Sequence, residues 1–111
     1  MAAIANLTID QGATFSSDVT VKDSNNNAFN LTGYTASAKM AKGFQSTKTR
    51  TSLTCTIAAD ATTGVITLSL TADQTTALED TRYVYDLEIV NGAVVTRVIE
   101  GIISVRPQVT T

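Results

Sequence analysis

The 111-residue chain has no histidine, no tryptophan, one cysteine, one proline and few charges. Each shortage removes a class of function. Without histidine the commonest general base and metal ligand is missing, and no Ser-His or Cys-His nucleophile pair can be assembled. Cys55 is alone, so it closes no disulfide within the chain, and no Cys/His set has the spacing of a zinc site. Charged residues make up 16% of the sequence, and eight basic against ten acidic residues leave −2, with no basic patch to hold a phosphate backbone. Gly12, Gly33, Gly43, Gly64, Gly92 and Gly101 are scattered singly, so there is no glycine-rich phosphate loop. No apolar run approaches the ~20 residues needed to span a bilayer. The opening "MAAIANLTID" has no basic segment ahead of an apolar one, so no signal peptide is predicted, and lysis would be the route out of a cell.

What the chain does have is threonine, serine and a period of two. Ser and Thr together form roughly a quarter of it, well above their usual share. Threonine is β-branched, suits strands, and keeps a solvent face polar without adding charge. The length suits one domain, residues 1–111, with 1–3 and 107–111 as candidate flexible arms. Along the chain, "AIANLTI" (Ala3 to Ile9) predicts one short strand, followed by a turn at Asp10-Gln11-Gly12. In "TFSSDVTVK", Phe15, Ser17, Val19 and Val21 share a face while Asp18, Thr20 and Lys22 point to water. "DSNNNA" is a loop, since Asn and Asp tolerate left-handed backbone and bond their own main chain. Phe29 and Leu31 are expected to plug the core beneath it. "TASAKM" (Ala36, Ala38 and Met40 inward), "LTCTI" and "VITLSL" (Ile66, Leu68 and Leu70 inward) are further strands. Cys55 lies in phase with Leu53 and Ile57, the position of a small buried hydrophobe. The only helical signal is "TADQTTAL", near residues 71–78, where Thr71 and Gln74 have the spacing of a capping box.

The strongest local signal is "YVYDLEIVNGAVVTRVIEGIISVRP" (Tyr83 to Pro107). Tyr83, Tyr85, Leu87 and Ile89 alternate with polar residues up to Asn91-Gly92, a dipeptide that favours a type I′ turn with both residues at positive φ. That turn would pair Val90 with Ala93, Ile89 with Val94, Asp86 with Arg97 and Tyr85 with Val98. It would also aim Glu100 at the core side, so a bulge at Gly101 is expected to restore the phase and bring Ile103 and Val105 inward. Pro107 ends the ladder because it has no N–H to give. About seven short antiparallel strands with one short helix predict an all-β, immunoglobulin-like β-sandwich, without the Cys…Trp…Cys set of antibody domains.

Candidate chemistry is sparse. The ten acids fall in turns or at alternating solvent positions; Glu79-Asp80 is the only adjacent pair and suits a solvated loop. Asp23-Ser24-Asn25-Asn26-Asn27 offers oxygen ligands, but it lacks the glycine and bidentate glutamate of a calcium loop. Asn6-Leu7-Thr8 and Asn30-Leu31-Thr32 match the glycosylation sequon, as chance allows in so Thr-rich a chain. Catalytic residues, metal ligands and cofactors are therefore all expected to be none. "AKGFQSTKTRTS" (Ala41 to Ser52) breaks the alternation with Lys42, Lys48, Arg50 and an isolated Phe44 and contains no acid. Those four residues form the candidate protein-interaction loop, because an exposed aromatic among polar residues often anchors an interface. A merely solvated loop is the reading placed ahead of it.

Four stretches in order, "IDQGATFSSDVTVKD", "FNLTGYTASAKM", "GVITLSLTADQTTAL" and "RYVYDLEI…VTRVIEGIISVRPQVT", resemble tailed-bacteriophage virion proteins. They are also similar to the N-terminal domain of the baseplate upper proteins that join receptor-binding proteins to the tail. The likeness runs from about Ile4 to Thr110 and rests on the order and spacing of the stretches. It implies an immunoglobulin-like fold, no catalytic residues, and a structural protein assembled in symmetric copies against other virion proteins. Nucleic acid, membrane and small-molecule substrate are not implied as partners. Localisation is then the virion, assembled in the cytoplasm of the bacterial host. A chain that ends at Thr111, without a downstream coiled-coil or fibre region, would turn the expectation from a receptor adaptor to a tail, baseplate or fibre-attachment accessory. The alternatives are a capsid decoration (cement) protein and a host-surface-binding adhesin module.

Overall fold

The computed structural model describes residues 3–43 and 50–109. Eight strands run β1 (Ala3–Ile4), β2 (Leu7–Asp10), β3 (Phe15–Thr20), β4 (Thr35–Ala41), β5 (Thr51–Ile57), β6 (Val65–Leu70), β7 (Arg82–Asn91) and β8 (Val94–Arg106), with one short helix, α1 (Ala72–Thr76), between β6 and β7. They form an immunoglobulin-like β-sandwich in which one curled sheet supplies both layers, in the order β1-β8-β7-β4-β5-β6-β3, with β2 also on β8. The curl is made by β5. Its first residues, Thr51 to Leu53, pair with β4, and Thr54 to Ile57 pair with β6. One side of the sandwich is thereby closed by continuous hydrogen bonding.

The period of two does what it predicts. Phe15 and Val19 from β3, Ile66, Leu68 and Leu70 from β6, and Tyr83, Tyr85, Leu87 and Ile89 from β7 meet in one core, and Leu31 plugs it beside the partly buried Phe29. Fully burying an Ile or Leu contributes about 1.5–3 kcal/mol, whereas an exposed ion pair contributes about 0–1 kcal/mol. The core therefore holds the layers together, and the surface charges do not. In the loop that follows β3, Asn26 takes φ 65° and the Asp23 carboxylate accepts from the N–H groups of Asn25 and Asn27.

Three local expectations are corrected. The first concerns the hairpin turn. Asn91 pairs with Val94 and Val90 with Val95, so the central residues are Gly92 and Ala93. Only Gly92 has positive φ (62°), the requirement of a type II′ turn. The register is consequently displaced: Ile89 faces Thr96, and Tyr85 faces Gly101. Second, the bulge falls at Val98, where Glu88 opposes Arg97 and Leu87 opposes Ile99. It restores the inward phase of Ile103 and Val105 earlier than Gly101 would, and Glu100 turns outward opposite Asp86. Third, the predicted Ala3–Ile9 strand is broken at Ala5-Asn6. The Ala5 carbonyl accepts from the buried Tyr85 hydroxyl, and the Asn6 side-chain oxygen takes the Ile102 N–H that a ladder carbonyl would have taken. Gly101 makes this possible, because a Cβ there would lie 2.2 Å from the Ala5 oxygen.

One end of the sandwich is locked by α1. The capping box forms as the sequence predicts: Thr71 Oγ1 accepts from the Gln74 N–H and Gln74 Oε1 accepts from the Thr71 N–H. The helix is shorter than the predicted 71–78 segment, five residues, with Leu78 buried beyond it. Thr75 is fully buried; its hydroxyl accepts from the Gly12 N–H and bonds the carbonyls of Ala13 and Ala72. Gln11 reaches the Leu78 carbonyl and accepts from the Gln108 N–H. The turn between β2 and β3, the helix and the residues after β8 are thus bonded to one another.

Replacing Thr75 by valine leaves the Gly12 and Ala13 backbone groups without their partner. Thr75→Val is expected to lower unfolding free energy by about 1–3 kcal/mol in urea titrations, while Thr75→Ser keeps most of the stability. Burial pushes the Tyr85 phenol up to about 12. Its neutral form is favoured by folding, so the contribution is intact below the ordinary tyrosine value of about 10 and is lost as pH rises from there through 12. Tyrosinate absorbance should show one tyrosine ionising only near the upper limit, and Tyr85→Phe should remove that step.

Candidate interaction surface

The outer face of the larger layer carries the groups that could meet another molecule. From β7 it presents Val84, Asp86 and Glu88, from β4 Ser37 and Lys39, and from β8 Val95, Arg97, Glu100 and Ile102. Asp86 and Glu100 are direct cross-strand neighbours, a like-charge pairing that would be unfavourable alone. Arg97 relieves it, with Nε 3.3 Å from Asp86 and Nη1 3.9 Å from Glu100. The expected Asp86–Arg97 attraction exists, reached diagonally across the bulge. Asp86 and Glu100 are partly exposed and engaged by arginine. Among the described residues no three His, Cys, Asp or Glu side chains gather where they could hold a metal ion.

Of the predicted interaction loop, Lys42 and Arg50 are described, while Phe44 and Lys48 lie outside the described residues. Lys42 follows β4 directly and pairs with Glu79, in the link between α1 and β7, at 2.5 Å. The hydrogen bond to Glu79 holds the Lys42 ammonium above its ordinary value. The acid missing from the loop's own sequence is therefore supplied from 37 positions along the chain. Arg50 Nη1 donates to the Gly43 carbonyl at 3.1 Å, which ties the two stems of the loop together. Beneath them lies a concavity of about 240 Å³ on the outer face, lined by Ser37, Lys39, Gly43, Arg50, Asp86 and Glu88.

Two other concavities flank β8. One, of about 420 Å³, lies between the Asn-rich loop and the hairpin and is lined by Val21, Asp23, Phe29, Ile89, Thr96 and Val98. The other, of about 380 Å³ and largely apolar, is bordered by Ile4, Asn6, Val84, Gly101 and Ile102. Neither was visible in the sequence. The first depends on the bulge at Val98 and the second on the break at Ala5. Cys55 is half-buried against the core, and burial pushes its thiol up, away from the reactive thiolate. No helix among the described residues is long and apolar enough to cross a membrane.

No protein-family model matches the chain, and no curated protein matches it in sequence. Among solved structures it is similar to the N-terminal domain of phage TP901-1 ORF48, with a TM-score of 0.55 and 10% identity, over 92% of this chain and 85% of that one. At that identity the likeness is one of fold. The Lin-41 filamin domain superposes with a TM-score of 0.45 and 13% identity over 89% of this chain and 82% of that one.

The Lys42–Glu79 bond has a direct readout. In an NMR titration the Lys42 amine is expected to lose its proton above the ordinary lysine range, and Glu79→Gln should return it to that range. An unchanged Lys42 titration in Glu79→Gln would mean that the loop stem is not tied to the link between α1 and β7.

Proposed function

We propose that this protein is a non-enzymatic structural component of a bacteriophage virion, a tail, baseplate or fibre-attachment accessory present in several copies. The observation that carries the reading is that its fold is shared along nearly the whole chain with a phage protein domain. The order of the four sequence stretches points to the same group of proteins. The surface chemistry is compatible with it. On the outer face Arg97 pairs with both Asp86 and Glu100, which ties these carboxylates into the sheet surface. The concavities open between strands and loops, where partner proteins dock, and sandwich domains offer edges and loop ends for this purpose.

Its place in the particle is open to direct measurement. Quantitative mass spectrometry of purified particles, separated into tails and heads, should find the protein in several copies per tail. Recovery with tail-less heads would favour capsid decoration. Absence from particles, together with saturable binding of the purified protein to host cells, would replace the structural reading with an adhesin.

A further inference from the structure

We propose that the free edge of the hairpin, Val94–Arg97, is a self-association site where a second copy of this chain adds its own hairpin strand, antiparallel, about a twofold axis. On one side β8 is paired with β7 along its length. On the other side its ladder begins only at Ile99, opposite Ala3, and runs to Arg106, opposite Asp10. Among the described residues nothing pairs with the outer side of Val94–Arg97. Such a row of unpaired N–H and C=O groups is a template for another strand.

The composition of this edge sets it apart. Val94 and Val95 are 64% and 57% exposed, and Thr96 follows them. All three are β-branched, and the segment contains no proline, glycine, lysine or acid. The edge of β3, by contrast, carries Asp18 in mid-strand, its carboxylate bonded to Thr67 on the neighbouring strand, and β2 ends on Asp10. An inserted charge is a common device against edge pairing. The hairpin edge has one charge, Arg97, and it is already satisfied within its own copy by Asp86 and Glu100.

A second copy fits because the edge is its own complement. Directly opposed residues in an antiparallel pair lie on the same face of the sheet. With the axis at Val95, Val95 meets its mate on the outer face, and Val94 meets Thr96 of the other copy on the inner face. That places each Val94 beside the mouth of the concavity lined by Val21, Phe29 and Val98. Arg97 falls opposite Ala93, so no like charges face each other. So short a ladder buries well below the ~1,200 Å² of a stable dimer. The contact is therefore weak between free molecules and becomes occupied when a particle holds many copies close together.

Sedimentation equilibrium over a micromolar to millimolar series tests this. The wild-type chain is expected to dimerise toward the upper end. Val95→Lys sets two cations against each other at the axis and should weaken the dimer at least tenfold without altering the melting temperature. In a Cys55→Ser background, Val95→Cys should oxidise to a symmetric disulfide dimer, whereas Thr20→Cys on the β3 edge should not. A wild-type chain monomeric throughout with no Val95→Cys cross-link overturns the proposal, as does dimerisation unaffected by Val95→Lys. Hydrogen-exchange protection of Val94–Arg97 that requires a different particle protein would overturn the second copy in favour of a foreign strand. The inference builds on the multi-copy reading but fails separately. A monomer found in particles removes only the edge contact, and an edge dimer absent from particles removes only the virion role.

Discussion

The close approach of the N-terminal segment to Gly101 decides how the longest strand is used. Only a residue without a side chain lets the Ala5 carbonyl come so near, and the Tyr85 hydroxyl fixes it there from inside the core. The parallel ladders on either side follow from that anchor: Ala3 with Ile99 above, Leu7 with Ile103 below. On the side away from β7, the edge of β8 before Ile99 is left unpaired by the described residues. The position of one glycine therefore divides a single strand into a covered half that completes the sandwich and an open half at its tip.

Much of this was readable from side-chain alternation. The inward sets of β3, β6 and β7 emerged as predicted, because burying one face of a strand leaves no freedom in its phase. The capping box at Thr71 and Gln74 was equally legible, being a purely local exchange of two hydrogen bonds. Long-range choices were not. Asn-Gly favours one turn type when considered alone, but the hairpin must also satisfy the pairing of Tyr85 and Leu87 farther along. Shifting the turn by one residue and placing the bulge at Val98 achieves both. Glu100 was misplaced for the same reason, since one extra residue reverses the face of everything after it.

The surface was harder to read than the core. Lys42 was visible as part of a basic loop, but its acidic partner is on a different element, and no spacing rule connects them. The concavities beside β8 arise from a bulge and a strand break, features that alternation treats as interruptions. The sequence thus identified which residues are outside without indicating which of them assemble into a surface.

The parallel pairing of β2 with β8 also bears on how the molecule would respond to force. The chain enters through β1 and β2 and leaves past Arg106, so tension applied at the two termini runs along the shared ladder instead of across it. Loaded in this direction, the bonds from Leu7 to Asp10 must give way together, where a hairpin opened from its end would yield one bond at a time. A component strained along its termini would be braced by this short stretch of backbone and by the packing of Ile9 beneath it.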